Sequence, residues 1–375
     1  MHSLDASFPR PTPAALRDAR ARLAALSADG VVVIDGLALA GLERVLETEA
    51  ERLAVVALVH HPLALETGIA PAEARLLETA ERNALALARR VLVTSHWTAR
   101  ALGAYGVPIE KIRVVEPGVD RRVRASRVDR RAPSTARAGA ESAARPSLDT
   151  PEDRPWGSCA HIPVRTRSRE GRAALSAAAR AVADVGGRHD VRLLCVATVT
   201  PRKGHSVLLE ALAELRDRPW HLTCAGSVTR DAATFAALEH QLERLALRAR
   251  VSFLGDLDAD ALEREYERAD LFVLASYLEG YGMALAEAVA RGVPVVSTTA
   301  GAIPETVPAA AGVLVPPGDS RALAKALAPL LDDAGARARL AANGRAAASK
   351  LPTWRMAAEK FAAALDGVTG SPRSR

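Results

Sequence analysis

Cysteine is scarce in this 375-residue chain: Cys159, Cys195 and Cys224, with no C-x-x-C pair. An odd number at such spacing argues against a disulfide framework and against a zinc motif. Cys195 and Cys224 lie inside apolar, strand-like runs, where they read as core packing, and a reducing cytoplasm fits their number. Aromatic residues make up only 3% of the chain. The cores must be built from Ala, Leu and Val, and an aromatic platform for single-stranded nucleic acid is not available. No apolar run approaches the roughly 18 residues of a membrane-spanning helix. Residues 1–10 lack both the basic start and the apolar stretch of a secretory signal.

What is present is the balance of a globular protein, 49% hydrophobic and 25% charged, at a length suited to two domains. The net charge of +6 is not spread evenly. Residues 121–189 hold 15 Arg, no Lys and 7 acidic residues, so the remainder carries a slight negative charge. A basic protein-wide surface for nucleic acid is therefore not supported.

From residue 31 to 118, short β-branched runs alternate with Ala/Leu-rich helical stretches such as 71–89. VVVID (31–35), VVALV (55–59), VLVT (91–94) and IRVV (112–115) read as buried strands. That rhythm predicts βαβ units around a parallel sheet. It stops at Arg121 and resumes at Val191, with strands at 192–198, 221–226, 251–255, 271–276, 293–298 and 312–316. Helices are expected near 204–216, 230–248, 258–268, 282–291 and 319–331, and a last amphipathic one over 353–367, capped by Thr353. The intervening 121–189 has too little Val, Ile and Leu to offset its ordering entropy and is expected to be a disordered basic insert, with a short Ala-rich helix at 171–185.

Parallel α/β sheets bind ligands beyond the carboxyl ends of their strands, so the loops there are the candidates for chemistry. After the strand ending near Ser276 comes YLEGYGMALAE. Two glycines permit a tight turn into a helix beginning near Gly282, whose first amides favour a phosphate or sugar oxygen. Glu279 precedes that helix and Glu287 lies more than a turn inside it. At about 1.5 Å per residue, the two reach groups roughly 10 Å apart on one extended ligand. Their spacing alone equally fits a solvated loop acid and a helix-face charge. A second strand end, ATVTPRKG, presents Arg202 and Lys203, two cations suited to a diphosphate leaving group or to an ordinary basic turn. No Asp/Glu/His cluster with metal-ligand spacing accompanies them. A third, VHHP, places His60 and His61 after a strand of the first domain, where a histidine serves structure or acid/base chemistry.

In combination, EGYGMALAE followed by ARGVPVVSTTAGAIPE and GVLVPPGD, with TPRKGHSVLLEAL, VLVTSHWTARALGAYGVPIEKIRVVEPGVD and VALVHHP, resembles glycosyltransferase family 4 over about residues 30–120 and 191–367. The resemblance implies an α/β GT-B fold: two Rossmann-like parallel-sheet domains facing a cleft. The expected layout is a first, acceptor domain over 1–120, the insert at 121–189, a donor domain over 190–352, and a C-terminal helix and tail over 353–375 returning to the first. It implies a cytoplasmic, retaining, metal-independent enzyme that moves a hexose from a nucleotide-diphosphate sugar to a glycan, lipid or small-molecule acceptor, without a cofactor. Lys203 and Arg202 would bind the donor diphosphate. Glu279 would hold sugar hydroxyls, with backbone groups of Gly280, Tyr281 and Gly282. Glu287 would bond the ribose, Gly226 would lie near the nucleotide, and His60 would line the sugar side.

The chain departs from the family pattern in three ways. Thr198 stands where an arginine usually precedes the lysine. The chain starts about where the second unit should begin, so the first strand and glycine-rich loop are expected to be missing, with weak transfer. The basic stretch replaces a short linker, and it leaves peripheral contact with the inner membrane as a further partner. The alternatives are a degenerate nucleotide-sugar-binding member and a non-enzymatic interaction protein using the insert. A nicotinamide dehydrogenase is disfavoured because no G-x-G-x-x-G follows a strand.

Overall fold

The computed structural model describes residues 3–120 and 190–368; the expectations placed on 121–189, including Cys159, lie outside the described residues. Two parallel sheets carry the chain. The first holds β1 (Val31–Asp35), β2 (Ala54–Val59), β3 (Arg90–Val93) and β4 (Ile112–Val114), side by side in chain order. Helix α1 (Pro13–Ala24) precedes it. Helices α2 (Gly36–Leu39), α3 (Glu43–Glu49), α4 (Pro71–Leu87) and α5 (His96–Gly103) lie in its crossovers.

The second sheet holds β5 (Val191–Val196), β6 (Trp220–Ala225), β7 (Val251–Gly255), β8 (Leu271–Leu274), β9 (Val295–Thr298) and β10 (Gly312–Val315). Their spatial order is β10-β9-β8-β5-β6-β7, all parallel. The chain runs outward from β5 to β7, then returns to the other side of β5 to lay down β8. The loops leaving β5 and β8 therefore part at the point where ligand crevices form in such sheets. Helices α6 (His205–Ala213), α7 (Ala232–Arg244), α8 (Ala259–Arg268), α9 (Met283–Ala290), α10 (Ile303–Thr306) and α11 (Ser320–Asp332) connect and flank these strands. Strands β8 and β9 are buried along their whole length; β8 is an apolar run, as a strand inside a parallel sheet should be, and β9 ends in Ser297 and Thr298, whose hydroxyls donate to the Leu274 and Ser276 carbonyls. The few aromatics are spent here: Trp220 and Tyr266 are fully buried, and Arg250 lies over the Trp220 ring at 3.8 Å.

The strands fall where the β-branched runs predict, within a few residues. Helix α12 (Ala334–Ala348) was not foreseen. It is rich in Ala on all sides and buries only Gly344 and Ala348, so no apolar stripe announces it.

The last helix, α13 (Trp354–Leu365), is capped by the Thr353 hydroxyl, which accepts from Met356 N. Its position follows from the first sheet. Right-handed crossovers that always step the same way put their helices on one face. That face buries Ile34, Val55, Ala57, Val59, Val91 and Val93. The alternate residues Ala54, Val56 and Leu92 point the other way, and Ala364 of α13, with Phe361 and Leu365, covers them. On edge strand β1 that second face continues as Val31 and Val33, each 37% exposed. Among the described residues, no helix is long and apolar enough to cross a membrane.

Candidate functional site

The loop leaving β5 tightens into a short 3₁₀ turn, Pro201–Lys203, and ends at Gly204, whose φ of +67° opens α6. A Cβ at Gly204 would stand 2.0 Å from the Ala275 carbonyl oxygen. Only glycine combines that backbone with so close an approach to the end of β8. Tyr277 N then donates to the Arg202 carbonyl at 2.8 Å, which stitches the two loops together. In consequence Lys203 Nζ lies 2.6 Å from Glu279 Oε1, which also accepts from Ser276 Oγ at 2.7 Å. The guanidinium of Arg202 donates to the Leu278 carbonyl at 2.7 Å and lies 3.7 Å from the second Glu279 oxygen. Two cations and one buried carboxylate thus share the crevice edge between β5 and β8.

The first domain meets this edge through the loops after β2 and β3. A Cβ on Gly280 would stand 2.0 Å from the His60 carbonyl oxygen, so glycine is required there as well. Thr98 Oγ1 donates to that His60 carbonyl at 3.0 Å and reaches the Gly280 carbonyl at 3.4 Å, which ties both segments to α5. The His60 ring is exposed, with Nε2 3.0 Å from Asp35 Oδ2. Asp35 closes β1 and caps α2 by accepting from Leu37 N. Partial burial opposes its ionisation, but the hydrogen bonds from His60 and Leu37 outweigh that and hold the carboxyl below its usual range. Glu66 bridges the two domains: one oxygen is 3.1 Å from His61 Nε2, the other 2.7 Å from Arg202 Nε. Burial would raise this carboxyl as well, yet His61 and the Arg202 charge lower it overall.

Gly282, at φ +92°, caps α9, whose first amides have no intrahelical acceptor and carry the positive end of the helix dipole. The Tyr281 carbonyl is held by the Thr306 hydroxyl. Gly226 borders the same edge from β6, since a Cβ there would stand 2.2 Å from the Ala197 carbonyl oxygen.

Arg202, Lys203, Glu279, Gly280 and His60 are therefore brought together, with Gly226 and Gly282 beside them. Glu287 stands apart, on the second turn of α9. Burial raises its carboxyl above the usual range, against the opposing charge of Arg291 and the Tyr266 hydroxyl. Arg291 is itself paired with Glu263 at 2.7 Å. Sequence reasoning missed Asp35, Glu66 and Glu305; the last pairs with Arg100 at 2.6 Å and accepts from Trp97 N. The position of Asp35 at the end of VVVID was a usable signal. Glu305 had none, and neither did the Glu66–Arg202 contact, because those partners are distant in sequence.

Comparison with known proteins adds to this geometry. The family model described as glycosyl transferases group 1 matches residues 188–347, and that described as Glycosyltransferase Family 4 matches 3–123. A GDP-mannose-dependent monoacylated alpha-(1-6)-phosphatidylinositol monomannoside mannosyltransferase of Corynebacterium glutamicum is 33% identical over 45% of this chain and 45% of its own length. A D-inositol 3-phosphate glycosyltransferase of Corynebacterium diphtheriae is 36% identical over 42% of this chain and 38% of its own. The match thus spans less than half the length of either relative. Among solved structures, Anabaena HepE in complex with UDP and glucose superposes with a TM-score of 0.66 at 21% identity, covering 94% of this chain and 81% of that one. Sucrose-phosphate synthase from Thermosynechococcus elongatus gives 0.67 at 22% identity, covering 94% and 76%.

Proposed function

The chain belongs to glycosyltransferase family 4 and has the GT-B fold, and from that premise we propose that it transfers a hexose, with retention, from a nucleoside-diphosphate sugar to a lipid-linked or inositol-type acceptor. The observation that carries this reading is the Lys203–Glu279 pair at 2.6 Å, set in the β5/β8 crevice beside the N-terminus of α9. Lys203 and Arg202 take the diphosphate and balance the charge that grows on the leaving group, with the first amides of α9 as further donors. That charge balance needs no divalent cation. Glu279, released from Lys203 by the phosphate, holds hydroxyls of the sugar with the backbone of Gly280, Tyr281 and Gly282. His60, braced by Asp35, lines the sugar from the first domain. Glu287 bonds the ribose, and Gly226 lets the nucleotide approach the β6 end. The acceptor class rests on the names of the two corynebacterial relatives.

Calorimetry of UDP, GDP and ADP binding, followed by product detection with the matching sugars, tests the proposal. A charge-assisted hydrogen bond contributes about 1.5–3 kcal/mol, so Lys203→Ala should weaken binding of the preferred diphosphate roughly ten- to a hundredfold. Unchanged affinity in that variant would remove the assignment.

A further inference from the structure

Beneath the loop that carries Arg202 and Lys203, three side chains converge that the proposed transfer does not use. Cys195 in β5 and Cys224 in β6 are direct partners across the two parallel strands. His205, the first residue of α6, packs over them, and its Nε2 lies 3.8 Å from Cys195 Sγ. The two sulfurs and a ring nitrogen all lie within 4.8 Å of one another. All three residues are buried: Cys195 is 1% exposed, Cys224 3% and His205 3%. Nδ1 of His205 has no hydrogen-bond partner. Of the two ring nitrogens it is Nε2, the one facing the sulfurs, that is placed to ligate.

We propose that Cys195, Cys224 and His205 form a structural site for a thiophilic d¹⁰ cation, Zn(II). The chemistry of the donors favours it. Two thiolates and one imidazole are the soft and borderline ligands that select zinc over magnesium or calcium. Bond lengths of about 2.3 Å to sulfur and 2.0–2.1 Å to nitrogen place those donors roughly 3.6–3.8 Å apart at tetrahedral to trigonal angles. The observed sulfur–nitrogen separation therefore needs little adjustment. Binding displaces one proton from each thiol to solvent, the imidazole ligates in its neutral form, and no electron is transferred. Two thiolates against Zn²⁺ leave the buried cluster without net charge, which a core of this dryness requires.

The position gives the site a purpose. Cys195 and His205 flank residues 197–204, so one ion would pin both ends of the segment holding Arg202 and Lys203. Cys224 would tie the same ion to the strand that leads into Gly226. Spacing conceals this arrangement, because the donors come from two strands and a helix.

The test uses the full chain, purified under reducing conditions without a metal-affinity step. After incubation with Zn²⁺ and desalting, elemental analysis should find about one zinc per chain. Co²⁺ in its place should give the intense near-ultraviolet absorption of thiolate-to-cobalt charge transfer, which a carboxylate or histidine site elsewhere would not give. Cys224→Val, which keeps the apolar volume, should cut the cobalt band by at least half and lower zinc retention at least tenfold. Cys195→Ala should abolish both. Circular dichroism establishes whether each variant is folded, and in wild type the melting temperature should rise with added zinc. Folded, fully reduced wild type that takes up neither metal would overturn the proposal. So would a Cys195–Cys224 disulfide seen by mass under these conditions, or undiminished cobalt absorption in a folded variant.

Discussion

Arg202 Nε stands 2.7 Å from Glu66 Oε1, so a cation of the second domain is held by a carboxylate of the first. The same carboxylate touches His61. A donor diphosphate entering the crevice must compete with Glu66 for Arg202 and then sit near its negative charge. Glu66→Gln removes that competitor and keeps the shape. Exposed and half-exposed ion pairs contribute up to about 1 kcal/mol, which corresponds to nucleoside-diphosphate binding roughly three- to fivefold tighter in the variant. Calorimetry decides; weaker binding would mean that Glu66 aims Arg202 at the phosphate instead.

Glu279 and Glu287 should fail differently. Glu279 occupies the cluster with Lys203, while Glu287 lies on the second turn of α9 beside Tyr266 and Arg291. Glu279→Gln should leave bare nucleotide binding unchanged or slightly tighter, since Lys203 is released, and lower turnover by about 10²-fold. Glu287→Gln should weaken bare nucleotide binding about tenfold, as expected for loss of a charged hydrogen bond. Parallel titration of both variants with nucleotide alone separates the roles, and equal losses would contradict them.

Glu81 on α4 makes stability depend on pH. Its side chain is buried and accepts from Leu63 N at 2.9 Å, anchoring the turn that follows His61 and Pro62. Burial, the largest influence, raises its pKa from 4.5 to about 7. The folded chain therefore holds this proton more firmly than the unfolded chain does. Its stabilising share is complete below the unfolded value and is lost as pH climbs through the folded one, a cost on the order of 3 kcal/mol by pH 8. Glu81→Gln should melt higher than wild type at pH 8 and nearly with it at pH 4.5. A gap independent of pH would show that Glu81 is not the titrating group.

Arg90 ties the first sheet to the last described helix. Its Nη1, at the start of β3, donates to the carbonyls of Ala364 at 2.6 Å and Asp366 at 3.0 Å, at the end of α13. These are terminal carbonyls with no helical partner, and a cation there also complements the helix dipole. Arg90→Ala should cost about 1–2 kcal/mol, read as a melting temperature lower by a few degrees. Lys at this position should recover part of the loss. No change on removing Arg90 would show that apolar contacts of Phe361, Ala364 and Leu365 suffice to hold α13.

The sequence by itself determined the elements and the kinds of residue at their ends. Short apolar runs such as VVVID and LFVLAS read as strands, although only the second is buried along its length while the first is a half-exposed edge, and strand-to-helix loops carry chemistry in view, Lys203 in one and Glu279 in another. Those are local properties, set by periodicity and by what a backbone turn tolerates. Tertiary structure alone decided which ends adjoin. Lys203 meets Glu279 because β8 lies beside β5, although two strands and three helices separate those strands in the chain. Residues 354–365 cover Ala54 and Val56 because one-directional crossovers leave that face of the first sheet bare. Glu66 finds Arg202 only once both sheets exist, and His205 finds Cys195 and Cys224 only once β5 and β6 pair. Burial and crossover handedness act over the whole chain, and no window of sequence contains them.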